Sequence, residues 1–206
     1  MTFLGDDDSP VGADEALARL MEGNTRFLRG EPRFTHTPKE VLADLAQGQR
    51  PFATILGCSD SRVPPELIFD AGFGNLFIIR VAGNVISPSV AASLQYADTY
   101  LKTQLILVLG HEGCGAVQAA LAAKFEGAQE RSRIQWLLEK MLPGLEGIDP
   151  QLPPQQQLEC AVEANVCWSM RRILDSPEGR VRMTEGGIKV AGAVCEITTG
   201  RVRLLD

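Results

Sequence analysis

The chain has no surplus of basic residues. Lys and Arg number 20 against 26 Asp and Glu, a net charge of −6. Nucleic acid and anionic membranes are bound through basic patches, so neither is an expected partner. No apolar run approaches the ~18 residues that a membrane-spanning helix requires. The five cysteines are odd in number and far apart in sequence. That argues against a disulfide framework and for a reducing compartment. Met1 to Asp8 is acidic and has no signal-peptide pattern. A cytoplasmic protein is therefore expected. At 206 residues the chain is large enough to bury a core without disulfide staples, and one domain is the simplest reading.

What the chain does contain is a regular alternation of elements. Residues 1–12 read as a loose acidic tail with Gly and Pro, and residues 13–206 as a single domain. Within that domain, residues 13–48 form a helical arm. Leu17, Leu20, Met21, Phe27 and Leu28 fall at helical spacing, with Gly30 as a stop. Thr37-Pro38-Lys39-Glu40 is a capping box that opens a second helix to about Gln47. Such an arm either folds over its own sheet or packs on a partner subunit, and the second is the expectation. Apolar runs at Phe52 to Gly57, Leu76 to Val81 and Leu105 to Leu109 read as buried strands. Helices are predicted from Ser87-Pro88 to Leu101, Gly115 to Phe125, Arg131 to Leu142 and Gln155 to Leu174. The tail from Gly187 to Leu205 reads as strand, turn, strand. The predicted fold is α/β: a mostly parallel sheet of at least four strands, flanked by helices.

Two short motifs follow two of these strands. Cys58-Ser59-Asp60-Ser61-Arg62 comes after the first, and His111-Glu112-Gly113-Cys114-Gly115 after the third. Open α/β sheets place their ligands at the carboxyl ends of parallel strands. Two Cys and one His make a three-ligand zinc set, and the fourth tetrahedral position is left open, as in a catalytic site. A structural zinc would want a fourth Cys or His, and none is near in sequence. Two thiolates weaken zinc as a Lewis acid, so outer groups are expected to assist. Asp60 is the obvious helper. It can accept a hydrogen bond from zinc-bound hydroxide, while Arg62 holds it ionised through a bidentate pair. In a rival closed state Asp60 itself takes the fourth position. Cys160 and Cys167, seven apart on one helical face, are expected to be buried, as is Cys195. His36 is expected in a loop, solvated or capping. Gly72-Phe73-Gly74 is too short of glycines to read as a nucleotide loop.

At these motifs the chain resembles a β-class carbonic anhydrase, over about Ala16 to Val202. The resemblance rests on Cys58-Ser-Asp60-Ser-Arg62-Val63 and Gly110-His111-x-x-Cys114-Gly115. Arg80 to Asn84, Ser93-Leu-Gln-Tyr96-Ala, Glu163-Ala-Asn165-Val166 and Gly192 to Gly200 add to it. It implies that Cys58, His111 and Cys114 bind zinc, that Asp60 and Arg62 form a catalytic dyad, and that the reaction is reversible hydration of carbon dioxide to bicarbonate and a proton. It also implies a homodimer or higher homo-oligomer with active sites at subunit interfaces. Gln49 matches a residue that binds substrate across that interface. Phe77, Ala82 and Tyr96 match an apolar wall for carbon dioxide. One branch of the family binds bicarbonate in a regulatory pocket of Trp, Arg and Tyr. Here those positions are Ile55, Arg80 and Cys195, so that pocket is expected to be missing. Two other readings stay open: a hydrolase of carbonyl sulfide or carbon disulfide on the same fold, and a non-catalytic zinc or thiol sensor.

Overall fold

The computed structural model describes residues 10–34 and 39–205. The tail to Ser9, His36 and the Thr37-Pro38 half of the capping box lie outside the described residues. The elements in chain order are α1 (Ala13–Arg29), α2 (Lys39–Leu45), β1 (Ala53–Gly57), α3 (Pro65–Ile68), β2 (Leu76–Arg80), α4 (Pro88–Leu101) and β3 (Leu105–His111). Then come α5 (Gly115–Phe125), α6 (Ser132–Met141), α7 (Pro154–Leu174), α8 (Pro177–Thr184), β4 (Lys189–Cys195) and β5 (Val202–Leu205).

The strands form one sheet in the order β2-β1-β3-β4-β5, all neighbours parallel except the last pair. β1 and β3 are buried at every position. That is why they read as unbroken apolar runs: a parallel strand covered on both faces has no solvent side to alternate with. In β3, Leu105, Leu107 and Leu109 join the core layer under α1 and α3. Ile106 and Val108 face the opposite layer, with Leu94 of α4, Val117 of α5, Leu138 of α6 and Val166 of α7.

Of the two destinations open to the arm, α1 takes the nearer one. Its Ala16 and Leu20 are fully buried in the core layer of this chain's own sheet. Asn24 locks it there. Its amide donates to the carbonyls of Ile68 at 3.1 Å and Gly200 at 2.9 Å, and its oxygen accepts from Val202 N at 3.0 Å. α2 buries no residue in the single chain, and Leu42 is exposed.

Two helices escaped the sequence reading. α3 is a single turn, and α8 is largely polar, held at its start by the Ser176 hydroxyl accepting from Gly179 N at 3.0 Å. The expectation for Cys160 and Cys167 is corrected: Cys160 is exposed and Cys167 half-buried. They do share a helix face, but the buried face of α7 runs through Ala161, Val162, Asn165, Val166, Ser169 and Ile173. Cys195 is buried as expected.

The chain leaves β1 for β2 on one side and later returns to β3 on the other. The carboxyl ends of β1 and β3 therefore flank the point where the strand order reverses. Loops diverge there and open a crevice.

Candidate metal centre

Both motifs emerge into that crevice. Cys58 is the first residue after β1. His111 is the last residue of β3, two positions further along the strand than the sequence reading placed the strand's end, and it lies opposite Cys195 of β4 in the register. A turn then brings the chain back. Gly113 has a φ of 61°, the left-handed region that glycine enters without steric cost. Cys114 follows as the N-cap of α5.

The three side chains converge. The ligand atoms of Cys58, His111 and Cys114 all lie within 4.8 Å of one another, and all three residues are buried. The two sulfurs are 4.0 Å apart. Two thiolates on a tetrahedral zinc, each about 2.3 Å from it, would stand ~3.8 Å apart. His111 Nδ1 is bonded to the Glu112 carbonyl at 2.9 Å, so Nδ1 donates and Nε2 keeps its lone pair. That Nε2 is buried and has no hydrogen-bond partner among the described residues. A lone pair left orphaned beside two thiols fits a metal ion.

The electrostatics call for a cation. The Cys58 thiol is pulled down by the Cys114 thiol that donates to it, against burial, and with help from His111 and the Gly83 amide. The Cys114 thiol is pushed up by the same contact and by burial, while the amides of Ala116 and Val117 at the start of α5 pull the other way. In effect the pair shares one proton. His111 is lowered by burial, but the Cys58 thiolate and the Asp60 carboxylate outweigh this and its affinity for a proton rises. A metal cation replaces those protons.

Asp60 and Arg62 stand at the edge of this cluster. The Arg62 guanidinium grips the Asp60 carboxylate with both arms, Nε to Oδ1 at 2.9 Å and Nη2 to Oδ2 at 2.7 Å, and Arg62 N adds a bond to Oδ1 at 3.0 Å. These contacts hold the Asp60 carboxyl well below the usual carboxylate range. Arg62 Nη2 also reaches the Gly113 carbonyl at 3.4 Å, tying the loop after β1 to the loop after β3. Asp60 Oδ2 is 3.8 Å from His111 Nε2, so the carboxylate faces the space the three ligands enclose.

Phe77, on edge strand β2, stacks on Tyr96 of α4 with ring centroids 6.0 Å apart. Tyr96 is 46% exposed and the next aromatic, Tyr100, 72%. Ala82 opens the short 3-10 turn that follows β2. Gln49 is exposed ahead of β1. A cavity of about 800 Å3 between α4, α6, the end of α7 and α8 includes none of the predicted site residues.

The sequence reading missed part of the scaffold. Arg80 Nε donates to the Cys58 carbonyl at 2.9 Å and Nη2 to the Asp60 carbonyl at 2.5 Å. It clamps the loop that carries both residues. Glu112 accepts from Ile197 N at 3.1 Å and so ties the end of β3 to the β4–β5 connection. Adjacency to His111 was the only signal for Glu112. At the positions of the regulatory pocket, Ile55 is core and Cys195 is a buried thiol pushed up to about 11, chiefly by burial. Arg80 is already engaged.

Residues 53–202 match the family model described as carbonic anhydrase. Carbonic anhydrase 2 of Mycobacterium tuberculosis is 39% identical over 200 residues, covering 96% of this chain and 94% of that one. A carbonic anhydrase of Pseudomonas aeruginosa is 30% identical, with 87% and 84% covered. Among solved structures, one of the tetrameric β-carbonic anhydrases of Sordaria macrospora superposes with a TM-score of 0.72 at 27% identity, over 81% of this chain and 86% of that one. The Coccomyxa β-carbonic anhydrase solved with acetazolamide superposes with a TM-score of 0.74 at 25% identity, over 92% and 86%.

Proposed function

The chain belongs to the β-carbonic anhydrase family, and from that premise we propose that it hydrates carbon dioxide reversibly to bicarbonate and a proton, with zinc held by Cys58, His111 and Cys114. The observation that carries this is the buried convergence of two thiols with an unpartnered imidazole nitrogen, overlooked by an ionised, Arg-locked carboxylate. When bound there, zinc supplies a Lewis acid that makes a water molecule nucleophilic near neutral pH.

The rest is the work of this chain's side chains. Asp60 is ionised and therefore an acceptor only. It takes a hydrogen bond from the reacting water and thereby aims the water's free lone pair. Arg62 keeps Asp60 turned toward this task and away from the metal position. Phe77, Ala82 and Tyr96 supply an apolar wall for a linear apolar substrate. Gln49 reaches the bound substrate across a subunit interface. The working unit is a homodimer or a multiple of one, in which a second copy covers Tyr96, Tyr100 and the exposed apolar side of α2. A cytoplasmic setting, where the thiols stay reduced, completes the reading.

Stopped-flow hydration of carbon dioxide, with metal analysis of the same sample, tests it. About one zinc per chain is expected, with activity lost on chelation and restored by zinc. Active protein without a divalent metal, or zinc-loaded protein without hydration, would overturn it.

A further inference from the structure

The 3-10 turn Ala82–Asn84 touches the centre by its backbone alone. Gly83 N donates to Cys58 Sγ at 3.4 Å. To point that N–H at the sulfur the chain takes two consecutive residues with positive φ, Gly83 at 65° and Asn84 at 45°. A Cβ at the first would also lie 2.7 Å from Met141 Sδ, which would have to give way. The second is asparagine, among the few residues with a side chain that enter this region readily, and its surroundings fix the turn there.

The surroundings that do so belong to α7. Asn165 Nδ2 donates to the Gly83 carbonyl at 2.9 Å, and Ser169 Oγ donates to the Asn84 carbonyl at 2.9 Å. Asn84 Nδ2 returns a longer bond to Ser169 Oγ at 3.4 Å. Asn165 and Ser169 are each 1% exposed and one helical turn apart, so a single polar stripe on an otherwise apolar helix face grips this turn. Asn165 occupies that place although its Oδ1 is buried without a partner among the described residues. A leucine would remove that orphaned Oδ1 but would leave the Gly83 carbonyl without its Nδ2 donor. The amide is therefore kept for what its Nδ2 holds.

We propose that Asn165 and Ser169 are positioning residues for the metal centre: they fix the Gly83 peptide so that its N–H bonds the Cys58 sulfur and draws charge from one of the two thiolates. This rests on the zinc reading and deepens it. Two thiolates together cancel the formal charge of zinc and blunt it as a Lewis acid. Each N–H···S bond lowers the charge a sulfur donates and moves the centre back toward reactivity.

The test uses the full-length protein. In the 15N-labelled chain loaded with cadmium-113, the Gly83 amide proton should show scalar coupling to the metal through the sulfur. In the cobalt-substituted protein, Asn165→Leu should move the sulfur-to-cobalt charge-transfer band to longer wavelength, because the thiolate is more electron-rich. Zinc should pass to a chelator about tenfold faster, because Cys58 loses the donor that orients it. Ser169→Ala should shift both in the same direction by less. Val166→Ala, on the same helix and fully buried, should lower thermal stability but leave the band in place. No coupling at Gly83 would overturn the proposal. So would a folded Asn165→Leu with the wild-type band and release rate, or a Val166→Ala that shifts the band equally. If Asn165→Leu does not fold, Ser169→Ala decides, and a wild-type band in it counts against the proposal. A chain that binds no metal at these thiols sinks the zinc reading itself, whereas metal bound without the coupling sinks only the role of the turn.

Discussion

Arg62→Ala separates metal binding from catalysis. The Asp60 carboxylate takes three hydrogen bonds from Arg62, at 2.7, 2.9 and 3.0 Å, and only the last, from the backbone, survives the substitution. The anchor of the Arg62 guanidinium on the Gly113 carbonyl is lost as well. The freed carboxylate needs little movement to reach the ligand space, because its Oδ2 is already 3.8 Å from His111 Nε2. Misplacing a group that orients a reactant by about 1 Å costs on the order of 100-fold in rate. Hydration by Arg62→Ala should therefore fall about 100-fold or more, with zinc still near one per chain. Arg62→Lys should recover only part of the loss, since an ammonium restores charge but not the two-armed grip. The assay is stopped-flow hydration on metal-quantified protein. The cobalt-substituted variant should also show altered d–d bands as the carboxylate enters the coordination sphere. Near-wild-type turnover in Arg62→Ala with full zinc would refute the assigned roles of both residues.

Cys58→Ala, His111→Ala and Cys114→Ala should each lose zinc and hydration together, checked by metal analysis after dialysis. Sedimentation should find a dimer or a multiple of it, and an active monomer at assay concentration would contradict the placing of Gln49 and Tyr96 at an interface. Bicarbonate should act only as substrate or product, because Arg80 is committed to the Cys58 and Asp60 carbonyls. A second bicarbonate bound beside Arg80 in a crystal would show otherwise. Asp70→Asn should cost about 2 kcal/mol at pH 7, read from urea midpoints: the buried carboxylate accepts from Arg26 Nε at 2.5 Å and from the amides of Arg33 and Phe34. Asp70 has a φ of 43°, which Asn tolerates as well, so the substitution isolates the charge. Burial raises the Asp70 pKa, but those donors outweigh it and the net shift is downward from 3.8. Its stabilisation is thus complete above pH 3.8 and is lost as pH falls through the lower folded value, so wild type and variant should converge in acid.

The strands that matter were legible because they are buried on both faces. β1 and β3 announce themselves as apolar runs, and a motif after each run reads directly as a pair of ligand-bearing loops. Residue type alone also pointed to a candidate metal site: two thiols and one imidazole suit a borderline-soft ion and would leave a position open. Spacing could pair Asp60 with Arg62 because they are two residues apart and local.

What the chain could not state in one dimension was everything that depends on distant backbone. That Asn165 holds Gly83, 82 residues away, leaves no periodic trace, since one Asn on a helix looks like any polar residue until the turn it grips is in place. Arg80 acts through carbonyl groups, which carry no residue identity to be recognised. The fate of α1 turned on Asn24 meeting both ends of a fold formed by residues 68 and 200–202. The exposure of Cys160 turned on which side of α7 the sheet chose. Amino-acid order by itself determined which groups are candidates for the chemistry and on which strands they ride. The tertiary structure decided which peptide bonds hold those groups in place, because a hydrogen bond to backbone is specified by position in space and not by sequence.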